Sequence, residues 1–334
     1  MKKIYAVFLI VLLIGFGCVS SVLLDLLKYA DAPAGQQIEK TTFSVNSGEN
    51  FSQMSGRLND QGIIRHSLKF RWYARLKGYD KKIKAGEYAL SSSLTPRQIL
   101  SVMISGKVAL YKITIPEGFN LYQIAAILSQ NKMMPEEVFI QKAMDVSFVK
   151  KKGIQAQTFE GYLFPETYHF PKGVSPDAII DAMVRRFREI FLPEWKQRAE
   201  KLNMTVHQVL TLASIIEKET GAAFERPLIS SVFHNRLRKG IRLSSDPTVI
   251  YGIRDFNGNL TRKDLEKWTP YNTYRIKGLP PGPIANPGVA SIHAALYPAK
   301  SDYLYFVSKK DSTHQFSTNF KDHNRAVRKY QLRK

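Results

Sequence analysis

Two stretches of this chain align on each other without gaps, and that duplication restricts the fold more than any other feature. SVNSGENFSQMSGRLNDQGII from Ser44 lies over TIPEGFNLYQIAAILSQNKMM from Thr114, pairing Gly48 with Gly118, Asn50 with Asn120, Gln53 with Gln123 and Leu58 with Leu128. A second block, YALSSSLTPRQILSVM from Tyr88, lies over YHFPKGVSPDAIIDAM from Tyr168, with Pro96 over Pro176, Ile99 over Ile179 and Met103 over Met183. The offset is 70 residues in the first block and 80 in the second. Each copy reads as strand, glycine turn and amphipathic helix, then a strand and a helix begun by Thr-Pro or Ser-Pro. Two related units follow, 41–107 and 111–188. The ten extra residues of the second copy fall where FEGYLFP stands, 159–165. An aromatic loop with one acid, Glu160, in a single copy is a candidate functional insertion; it is also what a hydrophobic loop docking on the next domain looks like.

Past the repeats, TVHQVLTLASIIEKETG (205–221) reads as an apolar helix that carries carboxylates. Thr205 and Gln208 make a T-x-x-Q capping box and Gly221 is a stop signal. At about 100° per residue, Val206, Leu210 and Ala213 share one side with Glu217 in its middle, while Glu219 lies opposite, near Leu212 and Ile215. Periodicity alone does not choose between the two glutamates. An apolar setting raises a carboxyl pKa, as a general acid near neutral pH requires; a buried ion pair gives the same pattern. Helices are also predicted over EWKQRAEKL after Pro193 and over 224–239. Beyond Gly240 the chain reads as extended, aromatic and turn-rich, with a hairpin through 309–312 and a basic closing helix from Asn319. The fold class is therefore α+β.

The N-terminus directs the choice of partner. After two lysines comes an uncharged apolar run, 4–24, long enough to cross a bilayer about 30 Å thick. Lysines before it and Asp25 after it predict a cytoplasmic N-terminus, with the rest outside. Ala30-Asp31-Ala32 resembles a signal-peptidase site, but the apolar run exceeds the ~7–15 residues of a signal peptide and Pro33 would follow the cut. An uncleaved anchor is the reading adopted; lipidation at Cys18 is a minor alternative, since Phe16 fits a lipoprotein site poorly. The net charge of +21 then points to anionic wall polymers or lipid headgroups rather than nucleic acid. Cys18 is the single cysteine, which excludes an intramolecular disulfide, a zinc-cysteine cluster and a cysteine nucleophile in the remainder. The predicted organisation is 1–3 cytoplasmic, 4–24 transmembrane, 25–40 linker, 41–107 a first module and 108–334 a catalytic domain containing the second repeat.

Several chemistries find no motif. There is no GxGxxG after a strand, no GxxxxGK[ST], no HExxH and no G-x-S-x-G elbow, so no nucleotide, metal or other cofactor is expected and carboxylate chemistry is left. His314 and His323 read as surface or supporting groups. The strand-turn-helix unit resembles the LysM peptidoglycan-binding module, the first copy more closely, which implies a sugar-chain partner.

EGYLFPETY from Glu160, ASIIEKET from Ala213, VFHNRL from Val232, LSSDPTVIYG from Leu243, YNTY from Tyr271, GLPPGPIANPG from Gly278 and HxFxT…HN from His314 together resemble the endolytic murein transglycosylase family, the YceG-like or MltG proteins. The resemblance covers nearly the whole chain. It implies that the first glutamate of EKET, Glu217, is the catalytic acid, and that the MurNAc-β-1,4-GlcNAc bond is cut without water to leave a 1,6-anhydro end. It also implies a bacterial cytoplasmic (inner) membrane location with the catalytic domain outside. Nascent glycan strands would be the substrate and peptidoglycan synthases the neighbours. For support of the positive charge at the anomeric carbon the candidates are Glu160 and Asp246, then Glu219, which can instead pair with Arg226 or Arg236. Tyr251, Tyr271, Asn272 and Tyr274 are candidates for stacking on sugar rings or bonding acetamido groups. Two rival readings stand beside the lyase: a non-catalytic wall-binding scaffold, and a hydrolase in which Asp246 or Glu160 activates water.

Overall fold

The duplicated segments fold into the same order of elements. In the computed structural model, which describes residues 2–46, 48–106, 109–219, 222–253 and 256–332, with the side chains of residues 1–12 and 14 outside that set, helix α1 (Lys2–Ala30) precedes the first copy. That copy runs β1 (Thr41–Val45), α2 (Phe51–Asp60), α3 (Ser67–Leu76), β2 (Gly86–Leu90) and α4 (Pro96–Ser105). The second runs β3 (Leu110–Thr114), α5 (Leu121–Gln130), α6 (Glu136–Ala143), α7 (Val146–Lys151), β4 (Thr167–Pro171) and α8 (Pro176–Ile190). The aligned residues do the same work in both. Asn50 and Asn120 cap α2 and α5 through their side chains, and Pro96 and Pro176 occupy the first turns of α4 and α8 behind Thr95 and Ser175. The extra length of the second copy supplies α7 and the loop that follows it.

The chain divides into two compact units, Met1–Tyr111 with His169–Gly173, and Lys112–Tyr168 with Val174–Lys334. In the first, β1 and β2 pair antiparallel with Phe43 opposite Tyr88. Phe43, Leu58, Phe70, Tyr88, Ile99 and Met103 make its core, with Tyr29 and Ala30 of α1 buried against it. The structure establishes this strand-helix-helix-strand order; it does not establish a LysM module. The expected transmembrane helix, 4–24, is likewise not established. Residues 2–30 are helical, but among the described residues no helix is long and apolar enough to cross a membrane.

The second unit continues through α9 (Pro193–Lys201), α10 (Val206–Glu219), a 3-10 turn (Ala223–Glu225), α11 (Arg226–Arg238), α12 (Asp246–Tyr251), α13 (Arg262–Glu266), α14 (Val289–Leu296), β5 (Tyr305–Ser308), β6 (His314–Ser317) and α15 (Phe320–Val327). Helix α10 is its axis. Every residue from Val209 to Ile216 is buried, because α9, α11, α12 and α14 pack around it. The polar side chains buried on this helix are satisfied: Thr211 Oγ1 donates to the His207 carbonyl, Ser214 Oγ donates to the Thr211 carbonyl, and Ser214 Oγ accepts from the Ile284 amide. The hairpin β5–β6 closes through 309–313 as expected, with Lys310 and Ser312 both at φ 67°. Gly221, the expected stop of α10, lies outside the described residues.

Two expectations are corrected here. The segment 243–253, read as extended, contains α12: Pro247 sits in its first turn, where a fixed φ and a missing N–H cost nothing, and Thr248 bonds back to Ser245. Helix α14 was not anticipated, since the aromatic and proline-rich residues before it gave no helical period.

The predicted capping box is formed, with Thr205 Oγ1 accepting from the Gln208 amide at 3.1 Å and Gln208 Oε1 accepting from the Thr205 amide at 2.8 Å. Thr205→Ala should therefore lower stability by about 1 kcal/mol in urea denaturation followed by circular dichroism. No change would mean that the box does not hold the start of α10.

Candidate active site

Glu217 stands one residue past the buried stretch of α10, with its side chain only 7% exposed. Its surroundings are those of the buried ion pair that the sequence left open, not of an apolar pocket. Oε1 accepts from Arg226 Nη2 at 3.3 Å, and Oε2 accepts from the Gly288 amide at 3.0 Å. Arg226 opens α11 and is steadied in turn, its Nε donating to Ser291 Oγ of α14 at 3.1 Å. Glu225, the residue before it, accepts from the His314 amide at 3.0 Å and from His314 Nδ1 at 2.7 Å. His314 thus fixes the entry to α11, the supporting role of the two expected for it and not the surface one. The correction has a simple cause: a helical wheel shows the neighbours within α10, whereas Arg226 and Gly288 arrive from other elements.

A second carboxylate stands at the same place, and the sequence reading did not single it out. The turn Ile115-Pro116-Glu117-Gly118-Phe119 links β3 to α5. Gly118 has φ +75°, and a Cβ there would press on Glu217 Cγ at 3.3 Å, so both conformation and space favour glycine. Its amide donates to the Asn286 carbonyl, and the Asn286 amide donates back to the Phe119 carbonyl, each at 2.9 Å. At Gly288 the backbone is ordinary, φ −78° and ψ 173°, yet a Cβ built there would fall on the Glu117 carboxyl group. Glu117 and Glu217 therefore meet around one glycine. Burial and the neighbouring Glu217 charge, in that order, raise the pKa of Glu117 against the opposing pull of Arg226. A signal for Glu117 was present in the duplication: Ser47 is its counterpart in the first copy.

The other expected residues fall into separate groups. Glu160 is 2% exposed; its Oε2 accepts from the Leu121 amide and the Tyr251 hydroxyl, both at 3.1 Å, and its Oε1 accepts from Asn286 Nδ2 at 3.0 Å. The Tyr251 and Tyr271 rings lie 4.9 Å apart beside it. Asp246 accepts from the Tyr274 hydroxyl at 2.6 Å. Glu219 pairs with neither arginine proposed for it. It accepts from Ser245 Oγ at 2.5 Å, while Arg236 donates to the Leu304 and Leu243 carbonyls. Asn272 is fully buried, and its amide group donates to the Leu265 and Lys267 carbonyls, which commits it to the scaffold. Among the described residues no three His, Cys, Asp or Glu side chains are grouped to hold a metal ion. A cavity of about 850 Å³ near the start of α10, lined by Thr205, His207 and His234 among others, does not include Glu217.

Burial pushes Glu160 up to about 8 despite the hydrogen bonds it accepts, that from the Leu121 amide foremost, and pushes Glu219 up to about 7 with Asp246 adding to the rise. A carboxyl whose pKa rises on folding keeps its proton while the unfolded chain releases it. Its contribution to stability is full below the ordinary pKa near 4.5 and is lost as pH climbs to about 8. The melting temperature should fall between pH 5 and pH 8.5, and Glu160→Gln, which keeps an uncharged group of the same shape, should flatten that fall. An unchanged slope in the variant would contradict a neutral Glu160.

The model of the YceG-like family matches residues 43–329. An endolytic murein transglycosylase of Bacillus subtilis (strain 168) is 37% identical over 309 residues, which are 87% of this chain and 85% of that protein. One of Streptococcus pneumoniae (strain D39) is 30% identical over 336 residues, 91% of this chain but 60% of the relative's length. The crystal structure of a YceG-like protein from Listeria monocytogenes, 38% identical, matches with a TM-score of 0.59 over 86% of this chain and 99% of that one. With the family model spanning most of its length and a relative 37% identical over 87% of it, this chain belongs to the YceG-like family.

Proposed function

We propose that this protein is an endolytic murein transglycosylase, a lyase that cuts MurNAc-β-1,4-GlcNAc bonds inside peptidoglycan strands and leaves 1,6-anhydro ends. The reading is carried by one observation: a nearly buried glutamate, Glu217, held by an arginine and a backbone amide, in a chain 37% identical to a protein of that name. The reaction needs two proton transfers. One places a proton on the glycosidic oxygen as the bond to C1 breaks; the other removes the C6 hydroxyl proton as that oxygen closes on C1. Because the nucleophile belongs to the sugar being cut, positioning supplies much of the rate and water has to be kept out. Glu217 is the catalytic carboxylate of this cycle.

The proposal extends to location. The apolar run 4–24 anchors the protein once in the cytoplasmic membrane, with 1–3 inside, 25–40 as a tether, and the rest outside. Residues 41–107 act as a LysM-like module on glycan, and 108–334 form the catalytic domain with the second repeat. A catalytic domain tied this close to the membrane acts on strands as synthases extrude them, which limits their length. The basic surface, net charge +21, suits an anionic wall polymer.

Full-length protein in lipid nanodiscs, incubated with purified glycan strands, should release fragments with anhydro ends by mass spectrometry. Glu217→Gln should lower the rate by roughly 100-fold or more while the protein still sediments with the strands. Full activity in this variant would remove Glu217 from the chemistry, and loss of strand binding with it would make its role one of recognition.

A further inference from the structure

We propose that Glu117 is the proton donor of this site, the role that the resemblance gives to Glu217, and that Glu217 is its base, so that two carboxylates divide the proton transfers. The inference rests on the function proposed above and assigns the halves of its reaction. Three features of the geometry point to it.

The two acids are differently engaged. Both oxygens of Glu217 already accept N–H hydrogen bonds, from Arg226 and from Gly288, and its side chain is nearly buried. These are partners for a group that works as an anion. Glu117 is exposed, and among the described residues its carboxyl oxygens have no hydrogen-bond partner. It is thus open to an arriving glycosidic oxygen. The glycine between them has no backbone need to be glycine: Gly288 takes up an ordinary conformation, and what excludes a side chain there is the Glu117 carboxyl group. The turn that carries Glu117 is tied down on its far side by the Gly118–Asn286 and Asn286–Phe119 backbone bonds, and Lys218 of α10 donates to the Gly118 carbonyl at 3.3 Å. The acid is therefore mounted on the helix that holds its partner. Partial burial of this otherwise exposed group and the Glu217 charge both favour the protonated form of Glu117, which agrees with the donor role.

The step balances without a co-reactant. Glu117 gives its proton to the glycosidic oxygen, and the electron pair of the C1–O bond leaves with that oxygen. The C6 oxygen of the same sugar bonds to C1, and its proton passes to the Glu217 carboxylate. Return of this proton to Glu117 resets the pair, with none gained or lost overall.

The test uses full-length protein in nanodiscs and two substrates: purified glycan strands, and a MurNAc-terminated oligosaccharide bearing 2,4-dinitrophenolate, a leaving group that needs no proton. On strands, Glu117→Gln should lose roughly 100-fold or more in rate with strand binding and melting temperature kept. On the dinitrophenyl substrate it should return to within about tenfold of the wild type, whereas Glu217→Gln should stay inactive on both. Gly288→Ala, whose methyl group displaces the Glu117 carboxyl, should impair strand cleavage, and adding it to Glu117→Gln should cost little more. If Glu117→Gln cuts strands within about tenfold of wild type, or is equally slow on both substrates, the donor assignment is overturned. If wild type itself makes no anhydro ends, the failure lies in the proposed function and not in the division of roles.

Discussion

The site depends on one buried amide side chain. Asn286 is fully enclosed, and each of its polar atoms is used: Nδ2 donates to Glu160 at 3.0 Å and to the Phe119 carbonyl at 2.9 Å, while Oδ1 accepts from the Leu163 amide at 2.9 Å. Three irregular segments meet there, the turn 115–119, the loop 159–165 and the strap 278–288. Irregular backbone buried without partners would cost on the order of 1–3 kcal/mol for each group left unsatisfied. A single asparagine meets that need for all three. Two residues beyond it, Gly288 delivers its amide to Glu217, so the brace and the candidate catalytic carboxylate are parts of one construction.

Four acids of the second unit are held in three ways. Glu160 is buried among hydrogen-bond donors and Glu219 is half-buried against Ser245 Oγ, neither in a salt bridge among the described residues, and desolvation prevails in raising their pKa values. Glu217 has an arginine and an amide. Glu117 is exposed beside them. Neutral buried acids serve as hydrogen-bonding struts at neutral pH, which suits Glu160 as the link between α5, α12 and the strap. The acid of the inserted loop thus ties α5, α12 and the strap together beside the helix that carries Glu217.

How much of this was legible follows sequence separation. The repeat, the caps at Asn50, Asn120 and Thr205, and the hairpin at 309–313 are local, and residue types at short spacing predict them. Glu217 was visible as a carboxylate on an apolar helix, although choosing it over Glu219 took the family resemblance. Its partners were not visible. Arg226 is on the next helix, Gly288 is 71 residues further on, and Glu117 comes from a turn before the helix. No period joins such positions; packing does. Chemical type alone makes Asn272 and Tyr274 cleft candidates, and the same amide and phenol groups equally suit buried loops. Only their observed partners decide between the two uses.

The central claim is that an intramolecular hydroxyl, not water, attacks the anomeric carbon at the site around Glu217. Cleavage of glycan strands in water enriched in oxygen-18 tests it directly. The account predicts 1,6-anhydro ends free of the heavy isotope, whereas new reducing ends carrying one oxygen-18 atom each would mean hydrolysis and contradict it.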